Sequence, residues 1–600
     1  MNEYKSYLIS TGVKETWPKN KKSHLIFSSI APLKKHPNKG FLYKGYDINK
    51  YHWDNKELLL KEFKYLENFY ENLLKTLADF LNSIHKQNYS KNFWRILIGP
   101  WLGYTIFMFF DRWKNISSSV KKFKIDNVIC LNINKNKILP YENADFFRRL
   151  TQNDMWNQYI YQSIYPEFLE KNKIKYLDLD DSILEEKLDT NYLTQKKGIR
   201  PQYKMNFFKK IIFNLPSFIG KKNYKYLIYR SYMGALNELK LSLKLNQFPI
   251  LEINKDKYKS NKKKDDSLRR SLDTIFEAKN KFENFFVKSL KDHCPKVFIE
   301  NFSDLVSFSN NSNLPEKPKV IFTANALWSD SFFMFHAARL KENKTKLIYG
   351  QHGGTYGIAQ YSWLEEHEKK IADKYLTWGW SGTKTEKNVR RFYVLLKNNK
   401  YNWNKKKENL LVTMKHRRNY FQSPETSAAE LFSDYIYYCT VFLNNISNSI
   451  KDKTILRFAL KNAKLSQVDF YSQLENKFKF DNSKSFESAC NSSRLIVNTT
   501  NSTTFCETLA NNIPSILILN KKNHPLRENV KKYINLLEKN NIIFYESEKA
   551  SKFVNKIWNN DVKNWWHNDN TQHAVREFQK NFANSSEDIV KQIINEIWQT

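Results

Sequence analysis

Apolar positions recur at helical spacing between residues 55 and 86, at Leu58, Phe63, Leu66, Phe69, Leu73, Leu77 and Leu81, and predict one or two long helices there. Ahead of them the short apolar run Tyr7-Leu8-Ile9-Ser10 leads into Thr11-Gly12 and reads as a strand entering a glycine turn. Residues 140 to 250 carry mostly helical patterns with aromatic anchors; with the polar stretch Asn254 to Asp266, expected as an exposed loop, they predict a helical insertion at about 140–270. The rhythm then changes. Short apolar strands at 319–323, 346–349 and 375–378 alternate with helices, one of them capped by Ser329 or Asp330. A polar run from Leu396 to Glu408 interrupts the alternation, and strands resume at 410–414, 454–460, 495–498, 515–519 and 542–545. Such alternation on both sides of a linker predicts an α/β chain of two Rossmann-like parallel-sheet domains, 1–395 and 396–600. Sheets of this kind bind ligands at the carboxyl ends of their strands, so two facing domains imply a cleft.

Composition narrows the class. At 600 residues the chain is too long for one core, and 41% hydrophobic with 15% aromatic residues excludes a disordered or low-complexity protein. Lys and Arg exceed Asp and Glu by 98 − 61 = 37, a balance that attracts polyanions, but the lysines are spread along the whole chain rather than in a stripe with aromatics. No nucleic-acid partner is expected. The five cysteines are far apart and form no C-x-x-C pair, which points to a reducing compartment and away from zinc or disulfides. The start of the chain lacks a basic-then-apolar leader, so a cytoplasmic protein is expected. The longest uncharged run, Ile96 to Phe110, contains Gly99, Pro100 and Gly103 and is short for a bilayer. It predicts a buried strand-turn-helix, with peripheral contact to the inner membrane face as the other reading.

Three constellations carry chemistry. Tyr349-Gly350-Gln351-His352-Gly353-Gly354-Thr355-Tyr356-Gly357 gathers four of only 14 glycines directly after a predicted strand. Glycines let backbone N–H groups approach a ligand, and His352 stands where a general base or phosphate donor is useful; a tight turn with a structural histidine is the competing reading. The second is the strand Leu495 to Val497, which runs through Thr499, Thr500, Asn501 and Ser502, then Thr503 and Thr504, into a helix bearing Glu507. Hydroxyls, helix-start N–H groups and a positive dipole end suit a phosphate, with Glu507 in reach of a ribose hydroxyl; an ordinary helix cap reads the same way. The third comprises Thr11, Gly12, Glu15, His52-Trp53-Asp54-Asn55, Arg95 and Asp111-Arg112-Trp113. If they meet, they form the acceptor side of a cleft, with Asp54 or Glu15 as base; otherwise they are ion pairs and caps. The sequence shows no clear D-x-D metal site, and no cofactor is expected.

These residues resemble glycosyltransferases of the GT-B fold. The Asn501-to-Glu507 loop followed by Pro514 is similar to the nucleotide-phosphate loop and ribose glutamate of that class, and Gln351-His352-Gly353 to the turn of capsule Kdo transferases and teichoic-acid polyol-phosphate polymerases. More closely, Leu8 to Gly12, His52-Trp53-Asp54, Trp94-Arg95-Ile96 through Trp101, Asp111-Arg112-Trp113 and the glycine turn resemble, over nearly the whole chain, a family of bacterial transferases noted in spirochaetes. The resemblance implies a metal-independent glycosyltransferase taking a nucleotide sugar, such as CMP-linked Kdo or another nonulosonate, and a glycan or glycolipid acceptor. His352, Asp54 and Glu15 would be catalytic. Gly353, Gly354, Thr500, Ser502, Thr503, Thr504, Glu507 and Arg457 would hold the nucleotide and phosphate, and Thr11, Gly12, His52 and Arg95 the acceptor. CMP-sugar enzymes of this fold place a His-Pro pair after a C-terminal-domain strand; Thr454 to Lys461 has none, so Arg457 or Lys461 would supply that charge. Transfer of a polyol phosphate from a CDP-alcohol, and a non-catalytic basic scaffold, are the other readings.

Overall fold

In a computed structural model, residues 4–35, 42–188, 224–247, 262–312, 314–395, 407–414, 420–422, 432–458, 477–483, 485–519, 524–560 and 562–600 are described. The first parallel sheet holds β1 (Ser6–Ile9), β2 (His24–Phe27) and β3 (Gly45–Ile48), ordered β1-β2-β3. A bridge between Tyr7 and Asn127 joins it to the parallel pair β4 (Val128–Asn132) and β5 (Ile174–Asp178). α1 (Lys56–His85) packs on α2 (Lys91–Lys122), α2 on α3 (Asp154–Ile164), and α3 against β4.

The periodic stretch at 55–86 is one helix, capped by the side chain of Asn55, which accepts from the Leu58 N–H. The run Ile96 to Phe110, expected as strand-turn-helix, lies wholly inside α2 despite Pro100. Its apolar stretch is long enough to cross a membrane, yet 94% of it is buried inside the protein. The glycines there serve packing rather than turning: a β-carbon at Gly103 would stand 2.0 Å from the Trp363 ring.

The second sheet runs in sequence order: β6 (Tyr226–Ile228), β7 (Val320–Thr323), β8 (Lys346–Gly350), β9 (Lys374–Leu376) and β10 (Val389–Arg390), all parallel. Its helices include α4 (Ala235–Lys244), α5 (Ser331–Glu342), which is capped by Asp330 as expected, and α6 (Trp363–Ile371). Within 140–270 helices predominate among the described residues, but β5 and β6 also fall there and each forms a sheet edge.

Beyond the linker, of which 396–406 lies outside the described residues, the third sheet contains β11 (Asn409–Met414), β12 (Thr454–Phe458), β13 (Lys479–Phe480), β14 (Ser493–Asn498), β15 (Ser515–Ile518) and β16 (Ile543–Phe544). Its order is β13-β12-β11-β14-β15-β16, the doubly wound Rossmann order whose switch point falls between β11 and β14. There α7 (Thr503–Ala510) begins. Two terminal helices follow, α8 (Asp569–Phe582) and α9 (Ile589–Trp598). α9 crosses back to the second sheet, where Val590, Ile593, Ile594 and Ile597 share a core with Ile228, Val320 and Ile348. The chain is thus a GT-B-like pair of Rossmann-like lobes, with the first sheet as an additional unit on the N-terminal side.

Candidate active site between the two lobes

The carboxyl ends of the second and third sheets face one another. β8 delivers the Gln351-His352-Gly353-Gly354 turn, which Gln351 pins to the loop after β9: its Oε1 accepts from the Trp378 N–H at 2.9 Å and Trp380 Nε1 at 2.8 Å, while its Nε2 donates to the Gly353 carbonyl. β14 delivers the hydroxyl loop. Ser502 precedes α7 without capping it; its hydroxyl instead meets those of Thr500 at 3.3 Å and Thr504 at 3.0 Å. The turn and this nest touch. Gly354 N–H donates to Thr503 Oγ1 at 3.3 Å, and a β-carbon at Gly354 would stand 2.5 Å from the Ser502 carbonyl carbon. Only glycine permits that approach. At the base of the nest, Asn498 Nδ2 and Asn501 Oδ1 are buried without a partner among the described residues.

His352 sits over a buried acid that sequence reasoning missed. Glu368 on α6 brings Oε1 to 3.5 Å from His352 Nδ1, just beyond hydrogen-bond range, while its Oε2 accepts from the Tyr375 hydroxyl at 3.1 Å. The signal was readable: Glu368 interrupts the stripe Leu364–Ile371 on the buried face of its helix. The ring is 18% exposed, and Nδ1 is buried. Burial lowers the imidazole to about 4, with the Ala324 backbone opposing, so it is neutral at pH 7. Tyr232 stands edge-on at 6.3 Å. It belongs to a loop after β6 in which Arg230 (φ 48°), Tyr232 (φ 70°) and Gly234 (φ 80°) take left-handed backbone, strain of about 1–2 kcal/mol for each of the first two. No sequence signal marks a Tyr at such a position.

Glu507 lies one turn into α7. Burial raises its carboxyl to about 7 and Arg457 pulls it partly back, so it changes charge near neutrality. Its field reaches Tyr232 across the cleft. Arg457, expected at the phosphate, is salt-bridged to Asp481 and lies over the Phe486 ring; Lys461 lies outside the described residues. Among the described residues no group of three or more His, Cys, Asp or Glu is arranged to hold a metal ion.

The N-terminal candidates are held elsewhere. Arg95 makes a bidentate pair with Glu71 at 2.7 and 2.6 Å, locking α2 to α1. Glu15 pairs with Lys187 at 2.6 Å; burial raises its carboxyl, but that bond, a backbone hydrogen bond and the charges of Lys187 and Lys14 together outweigh it and hold the group below its usual range. Asp54 is exposed, and the cap of α1 that it was expected to form belongs to Asn55. His52 is buried between Tyr51 and Trp53, 4.0 Å from Asp111, and burial and Lys114 lower it to about 3. Thr11 donates to Gln158 on α3 at 2.6 Å, and Gly12 follows it at the end of the β1 turn. Among the described residues these pairs lie within the N-terminal unit rather than at His352.

A family profile matches residues 6–597. The chain belongs to the LIC12162 family of transferases. Among curated proteins no sequence matches. Three solved structures resemble this family member weakly. The match to HepE of Anabaena, solved with UDP and glucose, is 12% identical and covers 63% of this chain and 100% of HepE, with a TM-score of 0.35. That to the wall teichoic acid polymerase TagF is 10% identical, covering 70% and 98%, at 0.31. TarM is 12% identical at 0.31; the match covers 49% of this chain and 58% of TarM, less than two thirds of its length.

Proposed function

We propose that this transferase moves a glycosyl group from a nucleotide sugar to a surface-glycan precursor, with its chemistry at the contact of the 352–354 turn and the 502–504 nest. That contact carries the reading, because it sets the turn that bears a neutral imidazole against a hydroxyl-lined helix start. The nest and the positive end of α7 receive the leaving phosphate, stabilising charge as it develops. Glu507 as a carboxylate accepts from the ribose hydroxyls. His352, already free of its proton at pH 7, removes the acceptor hydroxyl's proton as that oxygen attacks the anomeric carbon. Glu368, with Oε1 3.5 Å from Nδ1, is placed to stabilise the imidazolium that forms. The enzyme works in the cytoplasm, on acceptors presented at the inner membrane face.

Two measurements test it. A thermal-shift screen against CMP, CDP, UDP and GDP should raise the melting temperature with the nucleotide of the donor. His352→Ala should then cut turnover by about 10²–10⁴-fold at unchanged melting temperature; near-normal turnover removes His352 from catalysis. A product that gains phosphorus would replace glycosyl transfer with polyol-phosphate transfer.

A further inference from the structure

Three of the N-terminal motifs that the cleft leaves unused, at Gly12, Trp53 and Arg112, share one occupant. Residues Tyr420, Phe421 and Gln422, which begin six positions after β11 ends, lie in a socket of the first unit. Gln152 pairs with the Tyr420 backbone both ways, donating to its carbonyl at 3.1 Å and accepting from its N–H at 3.3 Å. The Tyr420 hydroxyl donates to Asp154 at 2.6 Å, and the Gly12 backbone lies beside it. Arg112 donates to the Phe421 carbonyl at 2.7 Å while its guanidinium stands 5.6 Å from the Tyr420 ring centre. Phe421 meets Trp53 edge-on at 4.8 Å, and Gln422 donates to Thr151 at 3.0 Å. The socket is braced from behind: Arg112, fully buried, also bonds Asp111 and Asn157, and Thr11 holds α3 through Gln158. Withdrawing the segment would break the Arg112 bond to the Phe421 carbonyl and the Tyr420 bond to Asp154 in a buried site, a cost that keeps it seated.

The other end of this stretch reaches the nest. Thr413, at the carboxyl end of β11, donates to Asn498 at 3.0 Å, and Thr499 donates to the Thr413 carbonyl at 2.7 Å. From Met414 to Tyr420 the chain can span at most about 20 Å. Six peptide steps of sequence separate the end of β11 from the seated Tyr420.

We infer that Tyr420 and Phe421 are positioning residues: the first unit grips them and so sets the carboxyl end of β11, the geometry of the nest, and the affinity for the donor nucleotide. The first unit then serves the donor side of the reaction, and its motifs at Thr11–Gly12, Trp53 and Asp111–Arg112 are parts of the socket. The inference rests on the proposed function only for the ligand.

Tyr420→Phe removes one hydrogen bond and keeps the shape; Phe421→Ala empties the Trp53 contact. In the full chain, hydrogen exchange at 411–414 and 496–498 should accelerate in both variants, while the amides of α1 and α2 exchange as in the wild type. Unchanged exchange at 411–414 and 496–498 overturns the inference, as does uniform acceleration everywhere. Whichever of CMP, CDP, UDP and GDP binds the wild type should bind Tyr420→Phe about fivefold more weakly, with donor KM rising and kcat held; full affinity in both variants also overturns it. A wild type that binds none of the four counts against the proposed function, and the exchange result still decides the role of Tyr420 and Phe421.

Discussion

Gly354 and Glu507 show how much rests on single side chains. A β-carbon at Gly354 would meet backbone of Ser502, which cannot swing aside as a side chain can. Gly354→Ala should therefore part the turn from the nest and lower kcat/KM by roughly a hundredfold, the cost of misplacing reacting groups by about 1 Å, with the loss read in steady-state kinetics. Glu507 titrates at about 7, pushed up chiefly by burial, whereas His352 at about 4 stays neutral through the working range. Donor KM should rise as pH falls below 7, because the protonated acid accepts from the ribose hydroxyls more weakly than the carboxylate does. Glu507→Gln should bind donor weakly with no dependence between pH 6 and 8, and a wild-type KM flat across that range would exclude this role. Gln351 was visible in the sequence as part of a glycine-rich turn, but its bonds to Trp378 and Trp380 were not, since those residues lie a strand and a helix further on.

Elements were legible where one periodicity held and one partner sufficed. α1 shows a clean apolar face and was read correctly from its spacing. α2 was misread because it is buried all round: no polar face reveals the period, and Pro100 with two glycines imitates a turn. Its glycines are explained by α6, which approaches so closely that Gly103 faces the Trp363 ring. Gly103→Ala should destabilise the fold by about 3 kcal/mol, at the upper end of the cost of overpacking, as a lower urea midpoint. Short strands such as β10 and β13, of two residues each, offer no pattern to read and exist only as edges of sheets already formed.

Across the molecule, the lobes are held together beside the site as well as through it. Arg527 donates Nε to the Ala359 carbonyl at 2.9 Å and Nη2 to Glu365 at 2.7 Å, next to an antiparallel bridge between Ala359 and Leu526. Several histidines are buried neutral in these interfaces and cores: burial lowers His52 and His367 to about 3 and His293, His336 and His352 to about 4. In the unfolded chain they would take up protons below about 6.5, so the unfolded state binds more protons and stability is lost as pH falls from 6.5 towards 3. Melting temperature measured from pH 8 to 4 should be level above 6.5 and drop steeply beneath it. A profile flat down to pH 4.5 would show that these rings gain protons without unfolding.

The strand-helix alternation and the two chemical loops were written in local pattern, because hydrophobic period and glycine placement act over a few residues. Which residues meet was not. Gly354 with Thr503, Glu368 under the imidazole, and Arg112 with the carbonyl of Phe421 join positions far apart in the chain, and the same polar side chains would read equally well as caps or surface ion pairs. Chain crossing and close packing settled their partners, and through burial their charge.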